Sequence, residues 1–383
     1  MNAPEKLAEF PILDHIRSLA PYVGGKPIEE VAREFGLDPS SIVKLASNEN
    51  PLGMPDSARR AISDAMADVG RYPDDNAFDL KVALSKKLGV APDWITLGVG
   101  SSDILMVAAM TFAGAGGRIV HSQYGFIVYS LAAQKVGAKA TVTPATAGLG
   151  HDLAAMHAAA LADGTREAAR LVYVANPSNP TGSFVAPDEM EAFLASMSPE
   201  TIVVLDEAYG EYLAPELRFD STLWVARFPN LIVSHTFSKA YGLAGLRIGY
   251  GIAQPQLTDL MNRVRAAFNV NALAQAAAVA ALGDDAFLAR GREVNRAGYA
   301  QLTSAFDAMG ITYIPSFGNF VLFQAGREND AGARANTALL KRGVIVRPVA
   351  NYGLPQWLRV SIGLESENAA FLAALPEALA AAR

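Results

Sequence analysis

At 383 residues the chain is longer than one hydrophobic core serves, so it predicts two subdomains. A composition 51% apolar and 18% charged, with a net charge of −6, is that of an ordinary globular protein and lacks the basic surplus of a nucleic-acid or membrane-surface binder. It has no cysteine, which excludes disulfides, thiolate nucleophiles and cysteine-held metals.

Residues 1–30 read as an N-terminal arm, punctuated by Pro11, Pro21 and the turn "GGKP". Its charged start, "MNAPEKLAEFPILDH", has no apolar signal-peptide core, and a cytoplasmic enzyme is the expected class. "PIEEVAREFGL" predicts an amphipathic helix stopped at Gly36. Between about 55 and 265, strand-length apolar runs alternate with helical patterns: "WITLGV" before "SSDILMVAAMTF", "GRIVHS" before "GFIVYSLAAQKV", and "RLVYVANP" before "DEMEAFLASM". "TIVVLDEAY" and "NLIVSHTFSK" follow. This alternation predicts βαβ units and a mostly parallel sheet covered on both faces, an α/β fold. "LRIGYGIA" follows Lys239 too closely for a crossover helix, so it is expected to be antiparallel to its neighbour.

The uncharged run at residues 266–283 carries Asn269, Asn271 and Gln275 and reads as an Ala-rich helix, not a membrane span. One helix is expected over about 269–305, leading to a second unit. There "YIPSFGNFVLFQA", "GVIVRPV" and "WLRVSIG" predict three strands, with helices at 331–341 and 366–382. The expected division is a large domain at 50–275 and a smaller α+β domain built from 31–49 and 276–383.

Three large-domain strands end in polar residues: Asn179 in "VANPSNPTG", Asp206 and Tyr209 in "VVLDEAY", and Lys239 in "SHTFSK". Ligands of open α/β sheets bind beyond the carboxyl ends of the strands. "LGVGSSD" adds a glycine turn into a helix, whose Ser101, Ser102 and first-turn N–H groups make an anion site. Singly, each feature has a bland reading: a connector, Asn-Pro turn chemistry, a magnesium-holding Asp-Glu pair, a solvated lysine. Their joint occurrence at strand ends favours one site. No G-x-x-x-x-G-K-[ST] loop, G-x-S-x-G elbow or H-E-x-x-H pair is present. Asp103 stands where a dinucleotide loop needs a small residue.

Pyridoxal phosphate accounts for the set. It needs a lysine for a Schiff base, a carboxylate at the pyridinium nitrogen, donors to the phenolate and a phosphate cradle. Lys239 and Asp206 are expected to fill the first two roles, and Asn179 and Tyr209 to donate to the phenolate. Thr236, Ser238, Arg247 and the helix start at Ser101 and Ser102 hold the phosphate, and no metal is called for.

On "PYVGGKPIEEVAREFGL", "KLASNENPLG", "RYPD", "NPSNPTG", "DEAYGEY", "TFSKAYGLAGLRIGY" and "VRPVANYGLPQWLRVSIG", the chain resembles the fold-type I pyridoxal-phosphate aminotransferases, and within them the histidinol-phosphate aminotransferases. The resemblance runs almost end to end and implies that family's fold, with a seven-stranded-type sheet in the large domain. It implies that Tyr124 stacks on the cofactor ring and that Tyr72 reaches the cofactor phosphate of a neighbouring subunit in a homodimer. Val99, Ser102 and His235 depart from the residues common in relatives.

Arg347 and Arg359 lie on apolar strands, where an unpaired charge is costly, and a guanidinium fork suits phosphate and carboxylate alike. The resemblance implies that they bind histidinol phosphate and then glutamate or 2-oxoglutarate, with help from Tyr22, Asn48 and Asn319. Aromatic amino-acid transamination and decarboxylation of threonine phosphate are the rival activities. A transcription regulator with an aminotransferase-like domain would need a DNA-binding module for which the arm has no room.

Overall fold

The computed structural model describes residues 11–19, 24–163 and 167–383. Its strands are β1 (Val43–Lys44), β2 (Ile95–Gly98), β3 (Arg118–Ser122), β4 (Lys139–Thr143), β5 (Leu171–Ala175), β6 (Ile202–Asp206), β7 (Leu231–Thr236), β8 (Gly249–Ile252), β9 (Tyr313–Ile314), β10 (Phe320–Gln324), β11 (Val344–Ile345), β12 (Arg347–Pro348) and β13 (Trp357–Ser361). Seven of them form one sheet in the order β2-β8-β7-β6-β5-β3-β4. Strand β8 is antiparallel to both its neighbours and the remaining pairings are parallel, as the short "LRIGYGIA" connection required.

Period-two alternation builds two cores against this sheet. Val172, Val174, Val203, Leu205, Leu231 and Val233 point to one face, against Leu80, Leu84, Ala274 and Ala277. Leu171, Tyr173, Ile202, Val204 and Ile232 point to the other, against Ile104, Leu105 and Ala132. Each fully buried Leu, Ile or Val contributes about 1.5–3 kcal/mol, so a one-residue register slip of a central strand is strongly disfavoured. The strand ends that carry polar residues are thereby fixed in depth.

A four-stranded antiparallel sheet, β12-β13-β10-β9, forms a third core around Phe306, Phe323, Leu358 and Phe371. The run predicted as one strand at 313–325 is two, β9 and β10, paired antiparallel across a turn at Ser316–Gly318. "GVIVRPV" likewise splits, with β11 pairing parallel to β1 while β12 pairs with β13. The helix expected over 269–305 is two helices, Ala272–Leu282 and Asp285–Met309, bent by 80°. Asp284 caps the second by accepting the Phe287 N–H at 3.0 Å, which favours a fresh start over continuation. Strand β4, with its exposed and alternating "KATVT", was not anticipated. Among the described residues, no single helix is long and apolar enough to cross a membrane.

Candidate active site

A cavity of about 400 Å³ lies beyond the carboxyl ends of β5, β6 and β7 and is closed from the other side by residues 46–49, β12 and β13. Lys239, Asp206, Tyr209, Asn179, Ser101, Ser102, Thr236, Ser238, Arg247, Asn48, Arg347 and Arg359 all line it. Hydrophobic sheet ends and one glycine turn converge on a single polar hollow.

Asp206 is the last residue of β6 and is buried. Its Oδ2 accepts the Tyr129 hydroxyl at 3.0 Å, while Oδ1 has no hydrogen-bond partner. Burial pushes this carboxyl up to about 6, against the pull of the Tyr129 and Ala208 hydrogen bonds. An orphaned carboxylate oxygen at such depth wants a cationic or N–H partner, and a pyridinium nitrogen is one. Tyr129 is itself buried and stacked on Tyr173 at 4.6 Å. The sequence offered only a weak signal for it, a tyrosine in the predicted helix after "GF".

The Lys239 Nζ donates to the Ser47 carbonyl at 2.8 Å. Burial, reinforced by the charges of Arg359 and Arg247, lowers this amine to about 7, so much of it is neutral and nucleophilic near neutral pH. Tyr209 accepts a hydrogen bond from Asn48 Nδ2 at 2.9 Å, and burial pushes its phenol up to about 12.

The anion cradle forms where the turn before helix Ser101–Ala108 meets β8. Gly100 has φ of 88°, and a Cβ there would lie 2.6 Å from the Arg247 Nη2. A Cβ on Gly249 would meet the Ser101 backbone nitrogen at 2.5 Å. The backbone contact at Gly249 admits only glycine, and at Gly100 the positive φ disfavours a side chain. Arg247 Nη1 donates to Ser238 Oγ at 3.3 Å, and the Ser238 N–H donates to Thr236 Oγ1 at 3.1 Å. Hydroxyls, a guanidinium and an uncapped helix start share one corner, the donor set for a phosphate.

On the opposite wall, Arg359 donates to Asn179 Oδ1 at 2.5 Å and to the Ala46 carbonyl at 2.8 Å, over the Phe320 ring. Arg347 is its cross-strand partner and lines the same cavity.

Tyr124, Asn319 and Tyr72 are not among the residues that line this cavity. Tyr124 packs against the apolar group Leu322, Val349 and Leu354 and does not line the cavity. The chain turns at Ser122–Gly125, and Phe126, just before helix Ile127–Val136, lines the cavity. Asn319 also stands behind the wall: its Nδ2 donates to the Asn48 carbonyl at 3.0 Å, so it supports Asn48 without touching the hollow. Tyr72 is 82% exposed and stacked on Phe268, outside this chain's own cavity. Tyr22 lies outside the described residues. Missed from sequence were Phe126, Tyr352, Glu49 and Gly25, which line the cavity, and Tyr129 behind it.

The family model "Aminotransferase class I and II" matches residues 40–375. Histidinol-phosphate aminotransferase 1 of Cupriavidus pinatubonensis is 61% identical over 366 residues, covering 96% of each chain. Histidinol-phosphate aminotransferase 2 of Ralstonia nicotianae is 62% identical over 369 residues, covering 96% of this chain and 97% of that one. The crystal structure of histidinol-phosphate aminotransferase from Sinorhizobium meliloti in complex with pyridoxal-5'-phosphate superposes with a TM-score of 0.88 at 30% identity, covering 99% of both chains. The lysine, the orphaned carboxylate and the anion cradle agree with these likenesses: the chain belongs to the class I and II aminotransferases, enzymes of fold type I whose cofactor is pyridoxal 5'-phosphate.

Proposed function

We propose that the protein transaminates L-histidinol phosphate with 2-oxoglutarate, giving imidazole acetol phosphate and L-glutamate, a step of histidine biosynthesis. The observation that carries the substrate reading is the Arg347–Arg359 pair, a second concentration of positive charge across the cavity from the Arg247 cradle. One cradle suits the cofactor phosphate. The other suits an anion on the amino donor, and histidinol phosphate has a phosphate in place of a carboxylate. The high identity to enzymes named for that substrate supports the same reading.

When bound, the cofactor supplies an electron-withdrawing ring that stabilises negative charge at the amine-bearing carbon of the donor. Lys239 would hold its aldehyde carbon, Asp206 its ring nitrogen, and Asn179 and Tyr209 its phenolate. Ser101, Ser102, Thr236, Ser238 and Arg247 would hold its phosphate. Asp206, as an anion, keeps a proton on the nitrogen it faces. Once the donor's amine has displaced it, Lys239 Nζ, half neutral at its lowered value of about 7 and more so above it, takes the proton from the donor's amine-bearing carbon and delivers it one position away. Arg347 and Arg359 orient the donor through its phosphate and then the 2-oxo acid through its carboxylate, so one site serves both half-reactions in turn. Asn48, held by Asn319, keeps Tyr209 aimed inward.

The protein acts, on this reading, as a cytoplasmic homodimer in which Tyr72 completes a neighbour's cofactor site, with the arm, large domain and small domain divided as the sequence predicts. The test is a panel of amino donors, each mixed with the holoenzyme and followed by conversion of the cofactor's absorbance to that of its amine form. Histidinol phosphate should be the most efficient donor. Greater efficiency with phenylalanine or tyrosine would replace this reading with aromatic transamination, and released carbon dioxide from threonine phosphate with decarboxylation.

A further inference from the structure

Behind the active site, on the other face of the sheet, Glu207 and His235 are packed where neither can carry a lone charge. Glu207 follows Asp206 at the end of β6, and His235 precedes Thr236 at the end of β7. The Glu207 Oε2 stands 3.2 Å from the His235 Nε2 and accepts the Ser221 hydroxyl at 2.9 Å. Glu207 Oε1 and His235 Nδ1 are both buried without hydrogen-bond partners. The imidazole stacks on Tyr250, its cross-strand neighbour, at 5.0 Å and 21°. Among the described residues, the only polar answer each side chain has, Ser221 apart, is the other.

We infer that Glu207 and His235 share a single proton as one net-neutral unit, and that this unit is a positioning device tying the strand end that carries Asp206 to the strand end that leads to Lys239. Two separated charges in this packing would be strongly destabilised, whereas one proton between carboxyl and imidazole makes a hydrogen bond in either protonation arrangement. The tie lies just beyond the last ladder bonds, where the Glu207 N–H donates to the Ser234 carbonyl at 2.9 Å. Strand spacing there sets the distance between the carboxyl at the ring nitrogen and the lysine at the aldehyde carbon.

The groups facing Glu207 are Asp206, Glu211 and Asp220, all acidic, together with Tyr250. None can supply a compensating positive charge, so His235 is the partner. Burial pushes Glu207 up to about 8 from its ordinary 4.5, and pushes His235 down to about 4 from 6.5.

The two single variants therefore have opposite signs. Between about pH 5 and 6.5 the unfolded chain carries one proton on this pair, on the histidine, and so does the folded protein, which makes the pair's contribution level. In His235→Leu the unfolded state has lost that proton while folded Glu207 keeps its own. Stability should then fall with rising pH, by about tenfold in the folding constant per unit relative to the parent. In Glu207→Gln the unfolded histidine is protonated and the folded one is neutral, so stability should rise with pH by the same factor. The measurement is denaturant unfolding of the cofactor-free protein across this range, in which all other titrations are common to the three proteins. Parallel curves would overturn the shared proton. If His235→Leu does not fold, Glu207→Gln alone decides by its slope. The positioning role is read from pyridoxal phosphate release by the holoenzymes. It should quicken roughly tenfold in both variants, the usual scale for losing a supporting partner, while His235→Gln, which keeps an N–H toward Glu207, restores most of the retention. Release at the parent rate in His235→Leu, or in Glu207→Gln where that alone folds, would overturn it.

Discussion

Arg347 and Arg359 sit directly opposite one another on the adjacent antiparallel strands β12 and β13, with both side chains on the cavity. Like charges paired this way are unfavourable in a sheet, and an anion between or beside them relieves the repulsion. Only Arg359 is nearly fully buried, with its fork committed to Asn179 and the Ala46 carbonyl. Arg347 is half-buried. Arg347→Ala is expected to cost histidinol phosphate about 2–5 kcal/mol of catalytic efficiency, the scale of a broken charge pair. Histidinol, which lacks the phosphate, should lose far less. Comparing kcat/KM for the two donors in both proteins measures this, and equal losses would show that Arg347 does not read the phosphate.

Asp206 and Lys239 predict opposite linkages in the cofactor-free protein. The Asp206 carboxyl is raised by burial from 3.8 to about 6, so its contribution to stability falls as pH rises from about 4 to 6. Lys239 is lowered by burial from 10.5 to about 7, so its contribution grows as pH rises above about 7. Cofactor capture needs the anion of one and the free amine of the other. Affinity for pyridoxal phosphate should therefore weaken in acid, and Asp206→Asn should remove about one proton's worth of slope below pH ~6, tenfold per unit. Fluorescence titration from pH 5 to 8 checks this. Turnover in Asp206→Asn should drop roughly a hundredfold or more, as when preorganised charge is removed from a reacting centre.

The strand ends were legible because apolar runs bounded by polar residues report both an element and its exit. Hence Asn179, Asp206 and Lys239 were found from "VANPSN", "VVLDEAY" and "SHTFSK", and the seven-stranded sheet was nearly complete. Strand β4 escaped because an edge strand, exposed at Lys139, Ala140 and Val142, carries no continuous apolar run. The part of Tyr124 rests on the resemblance alone, because the turn that precedes helix Ile127–Val136 decides by one or two residues which aromatic faces inward, and periodicity does not fix a turn. Tyr129 reaches the Asp206 carboxylate from 77 residues away and Asn319 the Asn48 carbonyl from 271, and such long-range contacts leave no local pattern.

Gly249→Ala tests the close approach beneath the phosphate cradle. Its Cβ would meet the Ser101 backbone nitrogen at 2.5 Å and the His235 carbonyl oxygen at 2.7 Å, both backbone atoms that cannot swing aside. Overpacking of this kind costs about 1–3 kcal/mol, and here the helix start must move with it. Cofactor affinity should fall by roughly tenfold or more, while Gly148→Ala, exposed, away from the cavity and with nothing within 4 Å of its Cβ, should change little. Equal affinities in the two variants would show that the cradle tolerates the shift.

Tyr72 projects from the surface, 82% exposed, and its ring stacks on Phe268 at 4.8 Å. The two loops that carry them are locked together: Arg265 Nη2 pairs with Asp75 Oδ2 at 2.9 Å, and the Phe268 N–H donates to Asp75 Oδ1 at 2.5 Å. Val99, in the turn before helix Ser101–Ala108, is part-exposed, and its carbonyl accepts from Arg247 at 3.4 Å. A fixed, exposed aromatic pair is poorly explained by the needs of a lone chain, and well explained by a second copy seated over it. If Tyr72 serves the neighbour's cofactor site, Tyr72→Ala and Lys239→Ala should each be nearly inactive as pure homodimers. Mixed and allowed to exchange, half the dimers become heterodimers with one intact site, so activity should recover to about a quarter of the parent's. Sedimentation should show a dimer throughout. Absence of recovery despite demonstrated exchange, or a fully active monomer, would leave Tyr72 as a surface aromatic with no part in the reaction.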